Sequence, residues 1–155
     1  MLFTAGYEGR TMQQFLADLH GAKVRMLGDV REAPVSRKPG FSKNALAQTL
    51  CDAGIGYRHI HALGCPKHIR DQHKLDGDWS AYTRQFMDHL EQQQPALEEL
   101  RAVAVTQRTA VLCYEADFNF CHRTYVARAV AQRAGLRIWH ITPDGLVEDL
   151  AVRAA

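Results

Sequence analysis

Short apolar or alternating runs recur along the chain, each bounded by turn residues and separated by stretches with helical spacing. "LFTAG" (2–6), "VRMLGDV" (24–30), "GYRHIH" (56–61), "TAVLCYE" (109–115) and "LRIWHIT" (136–142) predict five strands. Between them, Thr11 precedes "MQQFLADLH", where Met12, Phe15, Leu16 and Leu19 recur on one helical face, with Gly21 as the stop. Ser42 opens "KNALAQTLCDAG" and Gly54 closes it. Residues 79 to 105 form a longer helical stretch that Pro95 divides, because proline fits a first turn but not a helix interior. A last helix runs from Cys121 to Ala134 and stops at Gly135. Strands alternating with helices, with no tight hairpin between consecutive strands, predict an α/β fold. We expect a three-layer αβα arrangement around a mostly parallel sheet of about five strands. Residues 62 to 108 carry too much helix for one crossover and are expected to be a helical insertion between the third and fourth strands.

Composition narrows the setting. The 155 residues, 46% hydrophobic and 23% charged, match an ordinary globular chain, and the length suits a single domain over 1–155. A formal charge of +2 is too small to argue for sequence-independent nucleic-acid binding. No apolar run approaches the roughly 18 residues of a membrane span, and the first ten residues lack a leader pattern, so no membrane is expected as a partner and the cytoplasm is the expected location. The cysteines at 51, 65, 113 and 121 are too sparse for a secreted scaffold and are expected to be reduced.

Ligands of an open parallel sheet bind at the carboxyl ends of its strands. The first strand runs into "GYEGR", which places Tyr7 and Glu8 at that rim; the second ends in "GDVR", which adds Asp29 and Arg31 on one strand face. A structural salt bridge is the plainer reading of that last pair. The loop "SRKPGFSK" (36–43) offers Arg37, Lys38 and Lys43, a close backbone approach at Gly40, and a helix start at Ser42 whose free N–H groups attract anions. Plain capping explains Ser42 as well.

The segment "VLCYEADFNFCHRTYVARAV" (111–130) carries the densest chemistry. Cys113 ends an apolar strand, where a buried thiol is the commoner role. Cys121 opens a helix beside His122 and Arg123, all of which favour thiolate, so it is expected to be the most reactive of the four. Glu115 and His122 are candidate proton carriers, and Arg123 a candidate anion contact. Cys51, beside Leu50 on an apolar helix face, is read as core. Two groups, His59, His61, Cys65 and His68, and Cys113, Cys121 and His122, contain metal-ligating types, but neither has CxxC or HxxxH spacing, so no metal or other cofactor is assigned.

The motifs "GYEGR", "DVR", "SRKPGFSK", Leu63-Gly64, "DGDW" (76–79) and "LCYEADFNFCHR" resemble, in order and spacing, the family named domain of unknown function 488. That resemblance implies a small cytoplasmic α/β domain whose marked positions fall on Tyr7, Glu8, Asp29, Arg31, Arg37, Gly40, Cys113, Glu115, Cys121, His122 and Arg123. Some members are labelled DNA repair proteins. The order "LGDVRE", "VLCYE", a helix beginning "RT", and "AGLRIWHITPDGL" is also similar, more loosely, to rhodaneses, which implies a DVR strand beside a strand ending in a persulfide-forming cysteine, here Cys113. The loop departs from that pattern, since Arg123 stands ten residues after Cys113 and a second cysteine intervenes. The Cys-x5-Arg spacing of tyrosine phosphatases fails at all four cysteines, where Tyr57, Asp71, Asn119 and Ala127 occupy the arginine position.

The expected function is a thiol-dependent enzyme acting on an anionic or nucleotide-like ligand. In this reading Cys121 or Cys113 is the nucleophile, Glu115 or His122 carries the proton, and Arg31, Arg37 and Arg123 clamp the anion. The alternative is a non-catalytic nucleic-acid or nucleotide-binding module that uses Tyr7, Phe41, Tyr57 or Trp79 as stacking surfaces.

Overall fold

The computed structural model describes residues 1–152. Five parallel strands lie where the apolar runs place them: β1 (Leu2–Gly6), β2 (Met26–Asp29), β3 (Gly56–His59), β4 (Thr109–Cys113) and β5 (Ile138–Thr142). A sixth, β6 (Gly145–Glu148), runs antiparallel to β5 and makes the sheet mixed. The expectation of five strands without a tight hairpin therefore needs correcting. Thr142-Pro143-Asp144-Gly145 is a turn, closed by the Thr142 hydroxyl donating to the Gly145 carbonyl at 2.7 Å. Proline fixes one turn dihedral, and glycine accepts the positive φ of 118° that the turn's last residue adopts.

Six α-helices lie among the described residues: α1 (Met12–Gly21), α2 (Lys43–Asp52), α3 (Lys67–Asp76), α4 (Trp79–Glu91), α5 (Gln94–Thr106) and α6 (His122–Ala134). Thr11 starts α1 through a capping box, accepting from the Gln14 amide while Gln14 accepts from Thr11 N–H. The α1 stop is not Gly21, which remains helical; the left-handed residue is Lys23, at φ 58°. Pro95 sits in the first turn of α5 and separates it from α4. The insertion between β3 and β4 is thus α3, α4 and α5. Gly64 ties it to the sheet, for a Cβ there would stand 2.4 Å from the backbone of Glu32 just beyond β2.

Adjacent residues of each strand point to opposite faces, and two separate apolar clusters result. Phe3, Leu27, Ala110 and Leu112 pack with Phe15 and Leu19 of α1 and Leu46 and Leu50 of α2. Leu2, Val111 and Ile138 pack with Phe86 of α4, Leu97 of α5 and Val126 and Val130 of α6. Burying each such side chain contributes about 1.5–3 kcal/mol. No helix among the described residues is long and apolar enough to cross a membrane.

The strand order is β3-β2-β4-β1-β5-β6. From β1 the chain crosses over α1 toward β2, and from the neighbouring β4 it crosses over α6 toward β5, on the opposite face. β1 and β4 therefore flank the topological switch point, where a crevice opens at the strand ends. The register places Gly6 beside Cys113 there.

Candidate functional site

A cleft of about 810 Å³ opens at this switch point. Its floor is the end of β4, one wall is the loop after β2, and the other is the inserted α3–α4 pair, so all three chain segments are needed to close it. The volume falls in the range of small-molecule sites.

Two thiols and two proton-carrying groups meet at the floor. The Cys113 sulfur lies 3.3 Å from Glu115 Oε2 and 3.6 Å from His122 Nδ1. His122 Nε2–H donates to the Val30 carbonyl at 2.7 Å, which holds the ring and leaves Nδ1 facing the thiol. Cys121 is the residue that caps α6, and its sulfur, that of Cys113 and the imidazole lie within 4.8 Å of one another. Cys113, Glu115 and His122 line the cleft, whereas Cys121, 2% exposed, lies behind them. Of the two candidate nucleophiles, the helix terminus and neighbours favoured Cys121, whereas the fold brings Cys113 to the cleft surface.

The electrostatics follow from that crowding. The nearby Cys121 together with burial pushes the Cys113 thiol well above the usual range. For Cys121 burial resists the charge, but the neighbouring Cys113, His122 and Arg123 outweigh it and lower its pKa. His122 is raised, since its contact with Cys121 more than offsets burial. Burial first, and then the charge of Cys121, lift the Glu115 carboxyl to about 7.

Arg123, a candidate anion contact, does not line the cleft. It is fully buried, donates from Nη1 to the Glu115 carbonyl at 2.5 Å, and leaves Nε and Nη2 without hydrogen-bond partners among the described residues. Gly6 makes room for this contact, because a Cβ there would meet the Glu115 carbonyl oxygen at 1.9 Å.

Arg31 lines the cleft but is largely committed elsewhere. Its Nε and Nη2 donate to Asp29 at 2.9 and 2.7 Å, and its Nη1 donates to the Tyr7 hydroxyl and the Phe41 carbonyl. Tyr57 donates a further bond to Asp29 at 2.5 Å. The pair is the structural salt bridge that its spacing also allowed. Burial acts against the guanidinium, yet the bond and charge of Asp29 raise its pKa above an already high value.

The loop after β2 contributes Arg37 and Lys38 to the wall, with Lys38 donating to the Tyr7 carbonyl at 3.0 Å. Gly40 and Ser42 do not line the cleft. Gly40, at φ 89°, packs against Met12, and Ser42 Oγ bonds to the backbone of Ser36 without capping α2. Among the rim residues, Tyr7 lines the cleft and stacks on Phe41 at 4.5 Å, while Glu8 braces the loop after β4 by accepting from Ala116 N–H. Cys51 is exposed on α2, not core. His59 and His61 donate to the carbonyls of Arg31 and Glu32, so the group around Cys65 does not gather.

The insertion supplies what the sequence concealed. Arg70, His73, Lys74, Trp79 and Tyr82 line the cleft from α3 and α4, and Phe120 joins them from the loop after β4. Trp79 stacks on Tyr82 at 4.5 Å and meets Phe120 edge-on at 5.5 Å. Arg70 is paired with Glu32, whereas Arg37 and Lys74 form no ion pair among the described residues. The "DGDW" motif marked Trp79, but nothing in the polar α3 sequence singled out its cleft-facing side.

Neither the curated proteins nor the solved structures include a match to this chain. Among protein families, the model described as Domain of unknown function DUF488 matches residues 11–130, a span from α1 into α6 that takes in both thiols and almost all of the cleft wall.

Proposed function

The chain belongs to the DUF488 family, and on that footing we propose that it is a thiol-dependent enzyme acting on an anionic, nucleotide-like small molecule. The observation that carries this reading is Cys113 at the cleft floor, with a carboxyl 3.3 Å and an imidazole nitrogen 3.6 Å from its sulfur. A thiol needs a base within hydrogen-bond reach to become a nucleophile, and both groups qualify on geometry. In the proposed step Cys113 passes its proton to Glu115 or His122 and its sulfur bonds to the ligand's electrophilic atom, while the bond from that atom to its leaving group breaks and the leaving group takes up the proton from the same carboxyl or imidazole. Arg37 and Lys74 hold the anionic part, and Trp79 and Phe120 offer aromatic surface to a ring. β2, which ends at Asp29, pairs with β4.

Iodoacetamide labelling of the reduced protein, followed peptide by peptide, tests the proposal. Cys113, with Glu115 and His122 placed to take its proton, is expected to label faster than Cys65, a thiol of the same cleft wall whose sulfur contacts the Pro66 carbonyl, and to be protected by inorganic phosphate or a nucleoside monophosphate. Arg37→Ala is expected to weaken that protection, most at low salt. Labelling of Cys113 no faster than that of Cys65 would sink the reading.

A further inference from the structure

The groups around Cys113 have a second chemistry. Tetrahedral zinc, with sulfur ligands at about 2.3 Å and nitrogen at about 2.0–2.1 Å, spaces its ligand atoms roughly 3.5–3.8 Å apart. The Cys113 sulfur and His122 Nδ1 already stand 3.6 Å apart, and the Cys121 sulfur completes a triangle with no side above 4.8 Å. Glu115 Oε2 lies 3.3 Å from the Cys113 sulfur, at the edge of that triangle.

The outer contacts fit as well. A metal-bound histidine donates its other ring N–H to a carbonyl or carboxylate, and His122 does so to Val30 at 2.7 Å. Arg123 adds a fully buried guanidinium, two of its nitrogens without hydrogen-bond partners among the described residues, next in the chain to His122, a compensating charge for a pair of thiolates. The scaffold is rigid, with Cys113 held by the β1–β4 ladder and Cys121 and His122 opening α6. Spacing in the sequence hid this set, because the ligands come from a strand end and a helix start joined by the loop 114–120.

We infer that Cys113, Cys121 and His122 form a binding site for a soft divalent cation, zinc above all, with Glu115 or water in the fourth position, and that the bound ion weakens the thiol as a nucleophile. Two thiolates and an imidazole in tetrahedral array select zinc over the harder magnesium and calcium. Binding releases to solvent any proton still held by the thiols or by Nδ1. With one lone pair shared and its charge drawn toward the ion, the Cys113 sulfur is a weaker nucleophile toward a ligand in the cleft. The inhibitory part of this inference rests on the thiol-dependent reading above; the metal site itself does not.

The test uses the reduced, chelator-treated full chain with zinc and cobalt salts. We expect one ion per chain in competition with a chromophoric chelator, and a sulfur-to-cobalt charge-transfer band with the intense visible bands of tetrahedral cobalt. Cys121→Ser and His122→Ala are each expected to weaken binding more than about tenfold. Saturating zinc should slow iodoacetamide labelling of Cys113 and leave that of the exposed Cys51 unchanged as an internal control. Zinc binding no weaker in Cys121→Ser than in the wild type, or an octahedral cobalt spectrum, would overturn the site. If zinc binds as described but the metal-free Cys113 labels no faster than Cys65, the site stands and the thiol-enzyme reading falls. If Cys113 labels fast and zinc neither binds nor protects it, the enzyme reading stands and this inference falls.

Discussion

Replacing Asp29 with alanine should be among the most damaging single changes in the protein. Its carboxylate has no exposed surface and accepts four bonds, from the backbone N–H, Nε and Nη2 of Arg31 and from the Tyr57 hydroxyl. Removing it leaves the Arg31 guanidinium, whose side chain is 6% exposed, charged and without its counter-ion. Breaking a buried pair from one side costs about 3–5 kcal/mol. For a domain of this size each kcal/mol moves Tm by roughly 2–4 °C, so Asp29→Ala should lower Tm by about 6–20 °C. Replacing both partners removes the stranded charge, so Asp29→Ala with Arg31→Met should be less destabilised than the sum of the two single variants, with a coupling of about 0.5–3 kcal/mol. Urea unfolding of the wild type, both single variants and the double variant measures every corner of that cycle. A cost below about 1 kcal/mol for Asp29→Ala, or strict additivity, would show that solvent already relieves the pair and that Arg31 is free to serve the cleft.

Gly6→Ala should force β1 away from the loop after β4, because its Cβ would meet backbone at 1.9 Å; the expected loss is about 1–3 kcal/mol. Gly21→Ala, where the Cβ meets nothing within 4 Å inside α1, is the matched control and should gain up to about 1 kcal/mol; wild-type stability in Gly6→Ala would contradict the packing argument. The stability of the C-terminal network should fall with acid. Burial holds the His140 pKa down against the pull of Asp149, with Arg123 and Arg128 adding to it, while Asp149 is lowered despite burial by its bonds to His140 and Arg128. Both folded groups bind protons less readily than in the unfolded chain, so their contribution is complete above about pH 6.5 and declines below it, first through His140 and then through Asp149. Urea midpoints between pH 7.5 and 4 should therefore drop less in His140→Gln than in the wild type; an identical drop would remove His140 from the linkage.

Strands β1 to β5 were legible because each is a short apolar run set between turn residues, and the parallel arrangement follows from the helices between them. β6 was missed although Pro143-Asp144-Gly145 announces its turn, because its side chains are half exposed and carry no buried pattern. At the site, residue types were a good guide to which segments matter and a poor guide to which atoms face the cleft. Arg123 and Cys121 point into the fold, and Arg31 reaches the cleft with its nitrogens already bonded, since their partners, the Glu115 carbonyl, Cys113 and Asp29, are set by strand register and backbone course. The far wall was illegible for a related reason: Lys74, Tyr82 and Phe120 reach the cleft only through how the insertion docks.

The place of β4 between β2 and β1 also sets an order of events during synthesis. When residue 108 leaves the ribosome, β1 has no neighbour, because both its partners, β4 and β5, lie downstream. Only the β2–β3 ladder can form by then, and α1 lacks part of the surface on which it rests. Completing the sheet means threading a late strand between two early ones, a closure dominated by contacts distant in the chain and therefore slow. Until it happens the unpaired edges of β1 and β2 are open to other chains. Cys113 arrives on that same strand, so the nascent protein carries no assembled thiol site until the sheet itself is finished.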